Sequence, residues 1–152
     1  MYMGNSLVKV SVHIIFHVKS TGNVIKEEHL ARVFSFIGGT IRAMEGCAYT
    51  IGGMPDHIHI LSSLPLTMSI ADFVRTIKAN TSRWIKGLDS SYENFKWQEG
   101  YAAFSVSESN KEAVTAYIDN QATHHRKYTT HEEFMLFLLK NGIQVENIIY
   151  PH

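Results

Sequence analysis

The sequence predicts an α+β fold, a ferredoxin-like antiparallel sheet packed with helices. Three observations predict it. Residues 8–19, VKVSVHIIFHVK, alternate with period two, as a half-buried strand does. The runs at 47–52 and 57–63 flank the turn GGMPD and read as a hairpin. Helical segments separate these strands, giving the order β-α-β-β-α-β(β)-α-α, ferredoxin-like over its first two thirds.

Each element has its own signal. In the first strand Val8, Val10, Val12, Ile14, Phe16 and Val18 form the core face. Lys9, Ser11, His13, Ile15, His17 and Lys19 form an open one. Residues 26–45 read as a helix weakened at Gly38-Gly39. Residues 69–87 form the next helix, with Ser69 as N-cap and Asp72 three residues on. Residues 95–106 carry two strand-like runs around Glu99-Gly100. Ser109 and Glu112 form a capping box that opens a helix running to about Arg126. A last helix covers about 130–141 and stops at Asn141-Gly142.

The 152 residues suit one domain, 1–152, with a real core, and 45% hydrophobic against 18% charged residues is a globular balance. Net charge is zero, which excludes a uniformly basic nucleic-acid binder but not a local basic patch. A single cysteine, Cys47, excludes an internal disulfide framework and a cysteine-based zinc site. The N-terminus has no signal-peptide core, and no apolar run approaches the ~18 residues of a membrane helix. A cytoplasmic protein is the expectation.

The nine histidines point to chemistry. His57 and His59 stand one residue apart on a strand. They share a face, with Cα atoms roughly 6.5–7 Å apart. Ile58 and Ile60 point into the core. Two imidazoles can then converge on one ion, or they are polar residues on a wet face; two ligands are too few for a metal site. Asp56 either caps the turn or orients His57 from behind. On the later helix, Tyr117, Gln121 and His124 fall in one narrow arc. Gln121 can offer an amide oxygen to a metal. Tyr117 offers a phenol with a pKa near 10, which needs a polarised target or a nearby base to act as nucleophile.

With MPDHIHIL, SIADFVRTIKANTSRWIK, FKWQEGYAAFSVSES and YIDNQATHH in this order, the chain resembles the single-tyrosine HUH transposases of the insertion-sequence 200/605 group. The resemblance runs from HIIFHVK to HEEFMLFLLKNGI. It implies that His57 and His59 are the HUH pair, Gln121 the third metal ligand and Tyr117 the nucleophile. It further implies a divalent ion, Mg²⁺ or Mn²⁺, and single-stranded DNA with a hairpin as substrate. Cleavage would leave a 5′-phosphotyrosine and a free 3′-hydroxyl. Family members are dimers, so a homodimer is implied too, often with one subunit's tyrosine helix completing the other's site. Imidazole suits Mn better than Mg, so Mn²⁺ should support activity at least as well.

A DNA surface has a separate signal. Arg75, Lys78, Arg83 and Lys86 fall within about 140° on a helical wheel, opposite Phe73, Ile77, Trp84 and Leu88. Four neutralised phosphates would give a log–log salt slope of about −3. The face with Lys9, His13, His17 and Lys19 is a second candidate. Trp97, Tyr101 and Phe104 either stack bases or fill core and dimer contacts. His124 is placed to move a proton or touch phosphate; His125 is structural. A histidine-triad nucleotide hydrolase is a poor rival, because Leu61 stands where its third histidine belongs. The remaining rivals are a non-catalytic ferredoxin-like nucleic-acid-binding module and a domesticated transposase that cuts without moving itself.

Overall fold

The computed structural model describes residues 2–3, 6–20, 23–121, 132, 135–136 and 139–142. A small ribbon pairs β1 (Tyr2–Met3) with β2 (Ser6–Leu7). The main sheet contains β3 (Ser11–His17), β4 (Ala48–Met54), β5 (His57–Ser63) and β6 (Ala102–Val106), in the antiparallel order β4-β5-β3-β6. The helices are α1 (Glu27–Ala43), α2 (Ile70–Lys86) and α3 (Lys111–Asp119). From β3 to β6 this is the βαββαβ order of the ferredoxin-like class.

The core lies between the sheet and α1 and α2. Val12, Ile14 and Phe16 of β3 and Ile58 and Ile60 of β5 meet Val33, Ile37 and Ile41 of α1 and Phe73, Ile77 and Ile85 of α2. On the other sheet face α3 packs on β4 and β5, and its Tyr117 ring reaches His13 of β3. This corrects the half-buried reading of 8–19. The strand is Ser11–His17, and Ser11 through Phe16 are all buried. His13 is 0% exposed, so the expected open face does not exist at its centre. Lys9 and Lys19 lie outside the strand and are exposed. Alternation marks two chemically different faces; it does not say whether a later helix returns over the polar one.

The other elements follow their signals with local changes. β4 and β5 form the expected hairpin, Met54 opposite His57 across the turn Pro55-Asp56. Ser69 caps α2 by accepting from the Asp72 amide at 3.0 Å. α1 runs unbroken through Gly38-Gly39; Gly38 is buried beside the Ile51 side chain. Only one of the two runs in 95–106 becomes a strand, and Trp97 makes a lone bridge to Val18.

The capping box does not form. Glu108–Asn110 is a 3-10 turn, and Asn110 caps α3 without a side-chain bond. The Ser109 hydroxyl is engaged elsewhere, 3.1 Å from that of Ser107, while beside it Lys111 pairs with Glu108. α3 is described over Lys111–Asp119, with Asn120 as its cap, and Gln121 is helical again; the rest of the expected helix, to about Arg126, lies outside the described residues. At the far end the described residues Leu139 and Lys140 are helical. Gly142, at φ 75°, closes a turn through its amide to the Leu139 carbonyl, so the expected stop is present. Among the described residues no helix is long and apolar enough to cross a membrane.

Candidate active site

His57 opens β5 directly after the hairpin turn, and that turn is tied down on two sides. The Val18 amide donates to the Asp56 carbonyl at 2.8 Å, and the Ile25 amide to the Pro55 carbonyl at 2.9 Å. Gly53 lies at φ 150°, where a Cβ would come within 2.2 Å of the His57 carbonyl oxygen, so only glycine fits. His57 and His59 point off one sheet face, rings edge to face with centroids 5.1 Å apart. Both are almost wholly buried. Ile58 and Ile60 sink into the core behind them, as expected.

Buried imidazoles need partners; an unsatisfied one costs about 1–3 kcal/mol. His57 Nδ1 lies 2.8 Å from Asp56 Oδ1, so Asp56 does contact the histidine. His57 Nε2 lies 3.0 Å from Gln121 Oε1. On β3, His13 Nε2 lies 2.9 Å from His59 Nδ1. The rings of His17 and His57, opposite one another in the register, are 5.6 Å apart.

Tyr117 and Gln121 reach this cluster because α3 is seated on a glycine. At Gly52, opposite His59 in the sheet, a Cβ would stand 2.7 Å from the Ile118 carbonyl oxygen and 2.9 Å from its Cγ2. The missing side chain lets the helix backbone touch the strand. Thr50 donates to Asp119 Oδ1 at 2.5 Å beside this contact. The Tyr117 ring then lies edge-on to His59 at 5.7 Å and to His13 at 6.3 Å. Gln121 is buried, and its amide nitrogen donates to the Tyr117 carbonyl at 3.4 Å.

The donor set fits a divalent cation. A neutral imidazole has one N–H. On His57 both ring nitrogens face oxygen acceptors, Asp56 on one side and the Gln121 amide oxygen on the other. The amide nitrogen of Gln121 is already turned to Tyr117, which fixes the oxygen toward the histidine. A proton or a cation between Nε2 and Oε1 reconciles the two lone pairs. Among the described residues no three His, Cys, Asp and Glu side chains form a metal-holding group; Gln121 is the amide oxygen that stands beside the histidine pair.

The basic residues of α2 are only partly brought together. Arg75, Lys78 and Lys86 line a groove of about 600 Å³ with Trp97 and Tyr101, and Lys96 joins them. Arg83 stands outside that lining and bonds Asn80; Arg75 pairs with Asp72. Lys78 is held by the carbonyls of Gln98 and Gly100 at 2.8 and 2.9 Å, and burial lowers its pKa against the opposing pull of Glu99. Trp97 packs edge-on against Phe16 and Phe95 and donates to the Lys78 carbonyl, a core role. Phe104 lies opposite His13 on β6, and Tyr101 is exposed. His124 and His125 lie outside the described residues.

His13, His17 and Gly52 are site residues that sequence reasoning assigned elsewhere. His13 and His17 were expected on an open, DNA-facing strand surface, and Gly52 in the turn. The strand register brings them to the site, and no local spacing encodes it.

A ferredoxin-like sheet with a histidine pair on an inner strand, facing a helix-borne tyrosine and glutamine, defines a narrow class of protein. The family model "Transposase IS200 like" matches residues 6–121, and the chain belongs to that family. The ISDra2 transposase TnpA of Deinococcus radiodurans is 29% identical over 122 residues, covering 74% of this chain and 84% of that protein. Two solved structures share the fold. One, a Deinococcus radiodurans R1 protein assigned as a transposase, superposes with a TM-score of 0.61 at 22% identity, covering 80% of this chain and 98% of that one. The other, a REP-associated tyrosine transposase bound to a REP hairpin, gives 0.60 at 15% identity, covering 82% and 74%.

Proposed function

We propose that this IS200-family transposase cleaves and rejoins single-stranded DNA through a covalent 5′-phosphotyrosine on Tyr117. The observation that carries the reading is the contact of Gln121 Oε1 with His57 Nε2 at 3.0 Å, while the Tyr117 ring stands 5.7 Å from His59. A ligand set and a nucleophile are within one side chain's reach of each other.

His57, His59 and Gln121 would hold a divalent ion, Mn²⁺ or Mg²⁺. When bound, the ion supplies a positive charge that draws electron density from the scissile phosphate. The rest belongs to the chain. β5 holds both imidazoles at fixed spacing, with Ile58 and Ile60 as anchors in the core. Asp56 orients His57 through Nδ1. α3 places Tyr117 edge-on to the pair. The Tyr117 oxygen attacks phosphorus and loses its proton to solvent. The bond from phosphorus to the 3′ oxygen breaks, and that oxygen takes up a proton. One ester replaces another, so no nucleotide triphosphate is needed, and a 3′-hydroxyl from another strand can reverse the step.

The substrate reading, single-stranded DNA carrying a hairpin, rests on family membership and on the neighbour bound to a REP hairpin. The groove of α2 offers Arg75 and Lys86 to its phosphates, with Tyr101 available for stacking. A homodimer is part of the same proposal, and light scattering tests it directly. The cleavage test uses a labelled single-stranded hairpin with the element's flanking sequence and Mn²⁺. Wild type forms a denaturant-resistant adduct and Tyr117→Phe forms none. Binding without an adduct in either protein overturns catalysis and leaves a nucleic-acid-binding module.

A further inference from the structure

Among the described residues, the mechanism above leaves one buried histidine unused. His13 is 0% exposed in the middle of β3. Its cross-strand neighbours are Leu61 on β5 and Phe104 on β6. The rest of that strand is mostly valine, isoleucine and phenylalanine, so the packing alone would favour an apolar residue here. The polar choice has a partner: His13 Nε2 lies 2.9 Å from His59 Nδ1.

We infer that His13 is a positioning residue that sets the tautomer and ring orientation of His59 for metal binding. The inference rests on the proposed metal site. A histidine that binds an ion through Nε2 must carry its proton on Nδ1 and needs an acceptor there. For this role His13 Nε2, 2.9 Å away, must be the acceptor, which would place the His13 proton on its own Nδ1. His57 has the same arrangement with a different partner, the Asp56 carboxylate. The two proposed ligands are therefore oriented unequally: one by a half-exposed carboxylate from the turn, one by a buried ring within the sheet. The His13 ring also lies 6.3 Å from that of Tyr117, so one side chain backs both the ligand and the nucleophile.

The test reads metal binding apart from cleavage. Mn²⁺ affinity is measured by calorimetry on metal-free wild type, His13→Gln and His13→Phe, with thermal melting as a check on folding. Glutamine keeps an acceptor near the Nε2 position and should bind Mn²⁺ within about threefold of wild type. Phenylalanine fills the volume without an acceptor and should weaken binding about 10- to 100-fold. Equal affinity in wild type and His13→Phe overturns the inference, as does a His13→Gln variant as weak as His13→Phe. Wild type that fails to bind Mn²⁺ at all overturns the metal site itself, a separate result. Nitrogen-15 spectra of the wild-type imidazoles give a reading without any variant. His59 should be the tautomer protonated at Nδ1; protonation at Nε2 with neutral Nδ1 contradicts the role.

Discussion

The histidine pair and the tyrosine–glutamine pair are held in opposite ways. β5 is an interior strand, bonded along its length to β3 and β4, and all seven of its residues are buried. α3 has nine residues, and only Ile118 of them is fully buried. It rests on the sheet through the bare backbone of Gly52 and the Thr50–Asp119 bond. The proposed ligand platform is thus part of the core, while the proposed nucleophile rides on a short element docked over it. Substitutions in the platform should remove chemistry outright. Those under the helix should misplace Tyr117 while most of the stability, which lies on the other side of the sheet, survives.

The largest effect is expected on the platform. His57→Ala or His59→Ala should reduce adduct formation about a thousandfold, the loss of several kcal/mol of charge stabilisation at the phosphate. Gel quantification with Mn²⁺ measures it; a loss below tenfold would mean the pair is not the ligand set. Gly52→Ala comes next. Its methyl would press on the Ile118 carbonyl at 2.7 Å and lift α3. A displacement near 1 Å costs about a hundredfold in rate, while the thermal midpoint falls by only a few degrees. Equal loss of rate and folding would erase the distinction between the two regions.

Smaller effects lie outside both. Lys86→Ala in the α2 groove should flatten the salt slope of single-strand binding by about 0.7, the share of one phosphate contact. Lys78 is tied to backbone carbonyls, so its removal should lower stability as well, and a pure salt effect there would contradict that reading. The smallest effect concerns the exposed pair Lys26–Asp89 at the start of α1. The Ser91 amide and Lys26 hold the Asp89 carboxyl down to about 2. Its depressed value stabilises the folded chain fully above about pH 4, and that contribution fades as pH falls through about 2. Acid melts of Asp89→Asn should therefore lose less stability than wild type between those limits, with cleavage at neutral pH unchanged.

Much of this was legible in the sequence because the signals are local. The hairpin, the HIHIL strand and the Ser69 cap each depend on a few adjacent residues and formed where expected, except that β4 runs on through Gly52-Gly53-Met54 and leaves only Pro55-Asp56 as the turn. What the sequence hid was set by distant partners. The polar face of β3 reads as open because nothing in VKVSVHIIFHVK records that His13 will be buried with the Tyr117 ring beside it. Ser109 read as a cap, yet its hydroxyl is engaged with Ser107. Gly52 read as turn material, whereas its missing side chain makes room for Ile118, sixty-odd residues later. The candidate site was readable as residue types and order. Its closeness, Gln121 against His57 and His13 behind His59, needed the register.

The central claim is that the sheet-borne histidines and the helix-borne tyrosine act as one metal-dependent site. Peptide mapping tests it most directly: a single-stranded hairpin substrate is cleaved with Mn²⁺, the adduct is digested, and the modified residue is located by mass spectrometry. The account predicts a nucleotide 5′-phosphate on Tyr117 that is absent when a chelator removes the metal. An adduct on another residue, or one that forms equally well with chelator present, would contradict it.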